Sequence, residues 1–152
     1  MTTPYNAVYD LFLVQIKDWR LDNLYDISVP DFENYLQGFL ILGIPEFSEF
    51  CDQSLVRDDI LSLFTEDLTD ANLILLSKFM VKAWLDKEIQ DSRQIRLHVG
   101  DKDFRILSEA NNLRAKESYM VLKLEGLSQD LINYSWYGKD MSDWLNGTFI
   151  SA

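Results

Sequence analysis

Residues 106–134, ILSEANNLRAKESYMVLKLEGLSQDLINY, decide how this chain folds. Ile106, Ala110, Leu113, Glu117, Met120, Leu124, Leu127, Leu131 and Tyr134 step by four, three, four, three without a break, and only Glu117 is not apolar. A repeat of 3.5 residues is the seam of a helix that lies along another helix. About 28 residues in one helix predict a rod of roughly 40 Å, long beside the ~15 Å radius of gyration of a domain this size. Gly126 lies inside the rod at a cost of about 1 kcal/mol relative to Ala, and marks a bend or a close contact. Two readings of the seam stay open. It is the hairpin partner of the preceding helix within one subunit, or it meets neighbouring copies, and both can hold along different parts.

The preceding helix is announced by Thr69 as N-cap and Asp70 in the first turn. Leu73-Ile74-Leu75-Leu76 continues through Phe79, Met80, Val81, Trp84, Leu85 and Ile89. A helix apolar on most sides belongs at the centre. The pattern predicts that it reaches Asp91 or Arg93 before Leu97-His98-Val99-Gly100 interrupts it; the alternation of Ile95, Leu97 and Val99 leaves a β-hairpin arm as the alternative.

Nearer the start, Tyr5, Val8, Phe12, Ile16 and Trp19 form one helix face behind Pro4. Ser28-Val29-Pro30-Asp31 opens a second helix, with the stripe Phe32, Tyr35, Leu36, Phe39 and Leu40, and Gly43-Ile44-Pro45 is expected to close it. From Glu46 to Leu68 the periodicity weakens, which predicts a loop or extended arm with a short helix or strand. The expected fold is therefore mainly α. It is a helical bundle with a long C-terminal heptad helix, an irregular or short β-containing arm in the middle, and an extended tail. Residues 1–136 form the helical domain and 137–152 a docking arm.

That tail holds large aromatics and two glycines without a sustained helical period. Trp136, Tyr137, Trp144 and Phe149 are candidate partner-binding residues, because Trp and Tyr bury much area at small entropic cost. The alternative is that Trp136 and Trp144 fold back on their own domain.

Composition excludes several classes. The chain has 152 residues, 47% hydrophobic and 13% aromatic, with 6 Gly and 3 Pro, enough apolar material for one globular domain. One cysteine, Cys51, forms neither an intramolecular disulfide nor a zinc cluster alone. The opening MTTPYNAVYD lacks a secretory pattern and no run reaches roughly 18 apolar residues, so a soluble protein with no membrane contact is expected. The net charge of −11 is uneven: residues 1–68 carry 13 acids and 3 bases, residues 69–152 carry 12 and 11. A bulk nucleic-acid binder needs an excess of Lys and Arg, so an acidic face matched to a basic partner is the better reading beside a merely solubilising surface. Arg93, Arg96, Lys102, Arg105, Arg114 and Lys116 make a locally basic stretch. Arg93, Arg96 and Arg105 are candidates to meet the acidic half of another subunit, or form an exposed solubilising face.

Chemistry is nearly absent. His98 is the sole histidine, and the motifs of nucleophile elbows, phosphate loops, dinucleotide turns and zinc helices are missing. Cys51 stands between Phe50 and Asp52, neighbours that raise a thiol pKa. Glu46, Glu49 and Asp52, and separately Asp101 with Asp103, lack the ladder of an EF-hand loop. No catalytic residue, cofactor or metal is expected.

Leu68-Thr69-Asp70 leading into a helix that ends Trp84-Leu85, then Gly100-Asp101-Lys102-Asp103-Phe104, then Asn112-Leu113 opening a helix that ends Asn133-Tyr134-Ser135, resembles the head-to-tail structural proteins of tailed bacteriophages. The likeness is to neck or head-tail adaptor proteins and covers roughly residues 47–136, including Cys51 to Asp59. It rests on order and spacing. It implies a mostly helical subunit, present in many copies as a ring beneath the portal, with long helices side by side and terminal arms reaching the next ring. The partners implied are further copies, the portal, and tail or neck proteins, with genomic DNA only passing through the lumen. The location implied is the virion, assembled in host cytoplasm. The alternatives are a tail or baseplate component, or a small acidic cytosolic assembly chaperone or regulator that binds one partner helix.

Overall fold

Pro4 has no N–H to lose and sits at φ −72°, ψ 150°, the extended geometry from which a helix starts. In the computed structural model the chain is described over residues 1–98 and 103–136, with side chains over 1–94 and 110–136. The elements are β1 (Thr3–Pro4), α1 (Tyr5–Gln15), α2 (Trp19–Ile27), α3 (Val29–Ser48), β2 (Arg57–Asp58), β3 (Leu63–Phe64), α4 (Asp70–His98) and α5 (Asp103–Trp136). The mainly helical fold with a small β-containing arm is as the sequence predicts.

α1 buries Tyr5, Val8, Tyr9 and Phe12, one helix face. The expected continuation to Trp19 does not occur. Ile16 turns extended, and the Asp18 carboxylate accepts the Arg20 N–H at 3.0 Å, capping a new helix. Asp18 also accepts the Trp84 indole N–H at 3.2 Å. A side chain that offers the backbone a cap competes with helix continuation, so Trp19 begins α2 and is exposed.

Ser28 caps α3 as expected, accepting the Asp31 N–H. The expected stop at Gly43-Ile44-Pro45 is overturned: α3 runs through Pro45 to Ser48. An interior proline costs about 3 kcal/mol. Continuing the helix buries Ile44 and Phe47, each contributing about 1.5–3 kcal/mol, and stacks Phe47 on Phe79 of α4 at 5.6 Å. Gly43 is a packing residue rather than a cap. A Cβ there would stand 3.2 Å from Phe79 Cβ, where α3 crosses α4.

The arm of residues 49–69 supplies β2 and β3 to a three-stranded antiparallel sheet of order β1-β3-β2, completed by β1 from the start of the chain and pairing Thr3 with Phe64 and Arg57 with Phe64. Phe64 is fully buried against the Tyr5 ring at 5.1 Å, which ties the sheet to α1.

Thr69 caps α4, and this helix packs against α1, α3 and α5, the central position expected of it. It passes Arg93 and continues to His98. Residues 95–98 are therefore helical rather than part of a hairpin; residues 99–102 lie outside the described residues. α5 returns antiparallel to α4. Arg93 holds Glu117 at 2.8 Å, Lys116 holds Ser92 at 2.8 Å, Lys78 pairs with Asp130, and the Tyr134 hydroxyl bonds Asn72 at 2.7 Å. With 34 residues, α5 is a rod of about 50 Å, longer than expected.

Candidate interaction surface

The seam on α5 faces its own subunit. Leu113 and Leu127 are buried, Met120, Leu131 and Tyr134 pack against the core, and Leu124 is half-buried. Glu117, the one polar seam position, is neutralised across the hairpin by Arg93. Of the two readings, the intramolecular hairpin accounts for the described seam.

Two polar clusters lock the hairpin. At one end Asn72, wholly buried, donates to Asp52 at 2.9 Å and to Gln53 at 2.6 Å, while the Asp52 N–H donates to the Tyr134 hydroxyl at 2.9 Å. Tyr134 has one proton for two acceptors, Asp52 and Asn72. Burial first, and the Asp52 carboxylate second, push its phenol up to about 12. The bonds from Tyr134 and Asn72 hold the Asp52 carboxyl below its ordinary value. At the other end Glu88, nearly buried, takes Arg20 of α2 and Lys116 of α5. Bonding to Asp18 and Glu88 raises Arg20. Burial works to raise the Asp18 carboxyl, but the bonds from Arg20 and Trp84 outweigh it and the net displacement is downward.

With the seam turned inward, the opposite side of α5 is left in water. Leu122, Ile132 and Trp136 fall on one line through Glu125 and Gln129, in steps of three and four, and are 66%, 51% and 56% exposed. Tyr119 and Val121 extend the apolar surface. Beside it a cavity of about 320 Å³ opens between α4 and α5, floored by Val81, Leu85 and Leu127 and bordered by Lys78, Lys82 and Lys123. Gly126 lines it, and a Cβ there would meet nothing within 4 Å, so the glycine answers to no contact inside the described chain. A second apolar projection is the β2–β3 turn. Asp58 accepts the N–H groups of Ile60 and Leu61 at 2.9 and 3.0 Å, Ser62 takes φ +54°, and the two aliphatic side chains stand 93% and 66% exposed.

The expected site residues divide three ways. Trp136 is exposed at the end of α5, on the line of Leu122 and Ile132. Arg93 is exposed but engaged with Glu117 of its own chain. Tyr137, Trp144 and Phe149 lie outside the described residues, as do the side chains of Arg96 and Arg105. Leu122, Ile132, Ile60 and Leu61 were not singled out by sequence. The α5 pair was accessible in principle, since counting threes and fours from Trp136 traces a line on the side opposite the seam.

The described side chains supply little for catalysis. Cys51 is half-buried and burial pushes its thiol up, away from thiolate reactivity. The acids Glu46 and Asp52 are engaged by Lys82 and by Tyr134 with Asn72. Among the described residues no group of three or more His, Cys, Asp or Glu has the arrangement of a metal site, and no helix is long and apolar enough to cross a membrane.

No family model, curated protein or solved structure matches this chain.

Proposed function

We propose that this chain is an assembly subunit of the head-to-tail connector kind, acting through protein contacts rather than catalysis. The observation that carries the reading is the apolar line Leu122, Ile132 and Trp136 on the outer side of a rod whose seam is already occupied by α4. Such a line, continued by Tyr119 and Val121, is surface for a neighbour to cover. In a ring, one face of each subunit repeats against a different face of the next, so the α5 back meets another copy. The β2–β3 turn and the aromatic stretch beyond Trp136 are then available for axial contacts with portal and tail or neck proteins. In this reading the subunit works in the virion after assembly in host cytoplasm, and DNA passes through the lumen unread.

A tail or baseplate subunit would use the same surfaces with different neighbours. The acidic chaperone or regulator is favoured by one separate observation, a groove beside α1 with carboxylates on its rim.

The test mixes the purified chain with portal rings encoded beside it, followed by negative-stain electron microscopy. Decorated rings of one symmetry are expected. Leu122→Asp and Trp136→Ser should abolish decoration while leaving the thermal midpoint within about 2 °C, because exposed substitutions change stability by less than about 0.5 kcal/mol. Absence of binding by the wild-type chain contradicts the connector reading and favours the chaperone.

A further inference from the structure

On the other side of the molecule, α1 and the corner between α2 and α3 enclose a groove of about 590 Å³. Asn6, Tyr9, Asp10 and Leu13, on one face of α1 over about two turns or roughly 11 Å, line one wall, and Ile16 and Lys17 continue it in the extended stretch after the helix. The apolar part of the opposite wall is Leu21, Tyr25, Val29 and Phe32. Tyr25 is 53% and Val29 42% exposed, with the Tyr25 ring edge-on to Phe32 at 5.3 Å.

The rim is acidic. Asp10, Asp18, Asp22, Asp26 and Glu33 face one lysine, Lys17. Asp18 is paired with Arg20, but none of the ion pairs among the described residues engages the other four carboxylates. Burial, followed by the charges of Glu33 and Asp59, holds the Tyr9 phenol well above its ordinary value.

We infer that this groove binds a cationic amphipathic helix of another protein. A wall of two helical turns facing the α2–α3 corner, an apolar floor with aromatic anchors, and a rim on which Asp10, Asp22, Asp26 and Glu33 enter none of the described ion pairs match a helix with an aliphatic stripe flanked by Lys and Arg. The chain itself is a poor occupant. Each copy carries −11, and Lys78, Lys82, Lys87, Arg93 and Lys116 are already held by acids of their own subunit. This inference stands apart from the connector reading, since the groove lies on α1 to α3 and the apolar line on α5.

The probe is a fluorescein-labelled synthetic helix of about 18 residues, leucines recurring every three or four positions and lysines elsewhere. It is titrated against the full chain at physiological salt. Saturable binding is expected, with amide shifts in an NMR map centred on Leu13, Leu21, Tyr25 and Phe32. Asp22→Lys with Asp26→Lys should weaken binding about 30-fold or more, and Tyr25→Ala, which leaves the charge untouched, about 10-fold. Asp86→Lys with Glu125→Lys makes the same change in charge on exposed positions of α4 and α5 and should weaken it less than about 3-fold. Circular dichroism checks that each variant folds, and the paired charge reversals decide the matter if Tyr25→Ala does not. Equal losses from the two paired reversals overturn the inference, because binding is then diffuse attraction. So does a chain that doubles its mass in light scattering and reverts to monomer with Tyr25→Ala, because the groove then belongs to a second copy.

Discussion

Replacing Tyr134 with Phe removes one oxygen from the lock at the end of the α4–α5 hairpin. The ring keeps its edge contact with Phe47 at 6.2 Å, so apolar packing is conserved. Lost are the bond to the Asn72 side-chain oxygen at 2.7 Å, the bond to Asp52, and the acceptor for the Asp52 N–H. Asp52 is exposed and finds water, but Asn72 is wholly buried and does not. A buried polar atom left without a partner costs about 1–3 kcal/mol, so Tyr134→Phe should destabilise by about 2 kcal/mol and lower the midpoint by roughly 4–8 °C. Urea denaturation followed by circular dichroism measures the first, calorimetry the second. The effect also has a pH signature. The folded phenol is raised to about 12, so its contribution is complete below the unfolded value near 10 and is lost as pH climbs through about 12, where the gap between wild type and variant closes. The Asp52 carboxyl is lowered, so its share is present above the ordinary carboxylate range and is lost as pH falls beneath it. A change below about 0.5 kcal/mol at neutral pH, or a gap that widens in alkali, would refute the reasoning.

Three further outcomes are expected. Gly43→Ala should destabilise by about 1–2 kcal/mol in urea denaturation, because its methyl meets Phe79 Cβ at 3.2 Å and the Phe79 backbone at 3.3 Å, an overpacking larger than the helix-propensity gain. Gly126→Ala, with open space around it, should instead stabilise by about 0.5–1 kcal/mol in the same assay; a loss there would mean something inside the subunit approaches α5 at that point. Glu88→Ala removes the carboxylate that joins Arg20 and Lys116, and should cost about 1–2 kcal/mol, held to that range because both cations are partly exposed and reach water; an unchanged urea midpoint would show the cluster idle.

The parts of the fold legible in the sequence are those set by local period and local caps. The α5 seam was readable because it repeats over many turns, and Ser28 and Thr69 were readable because a cap is a property of three or four neighbouring residues. What escaped is set by partners distant in the chain. Pro45 reads as a stop until Phe47 is placed against Phe79, 32 positions away. The break before α2 turns on Asp18, whose second partner, Trp84, lies on α4. Strands of two residues carry no period, so the pairing of Thr3 with Phe64 is invisible locally. The lock of Asp52, Asn72 and Tyr134 spans 82 positions and has no motif. Of the candidate surface, Trp136 was legible as an aromatic without a core period, whereas Leu122 and Ile132 were masked by the stronger seam on the opposite side of the same helix. The acidic groove was foreshadowed by the charge imbalance of residues 1–68, but its apolar floor depends on where the α2–α3 corner sits opposite α1.

Hydrogen exchange along α5 in the isolated chain tests the central claim most directly, since a 34-residue helix undocked from its partner opens readily while one clamped by its seam does not. Amides of residues 113–134 should exchange as slowly as those of 75–89 in α4, with no added protein. Rapid exchange across 113–134 in the isolated chain, slowing only when other subunits are supplied, would contradict an account in which α4 covers the seam and the back of the rod is left for neighbours.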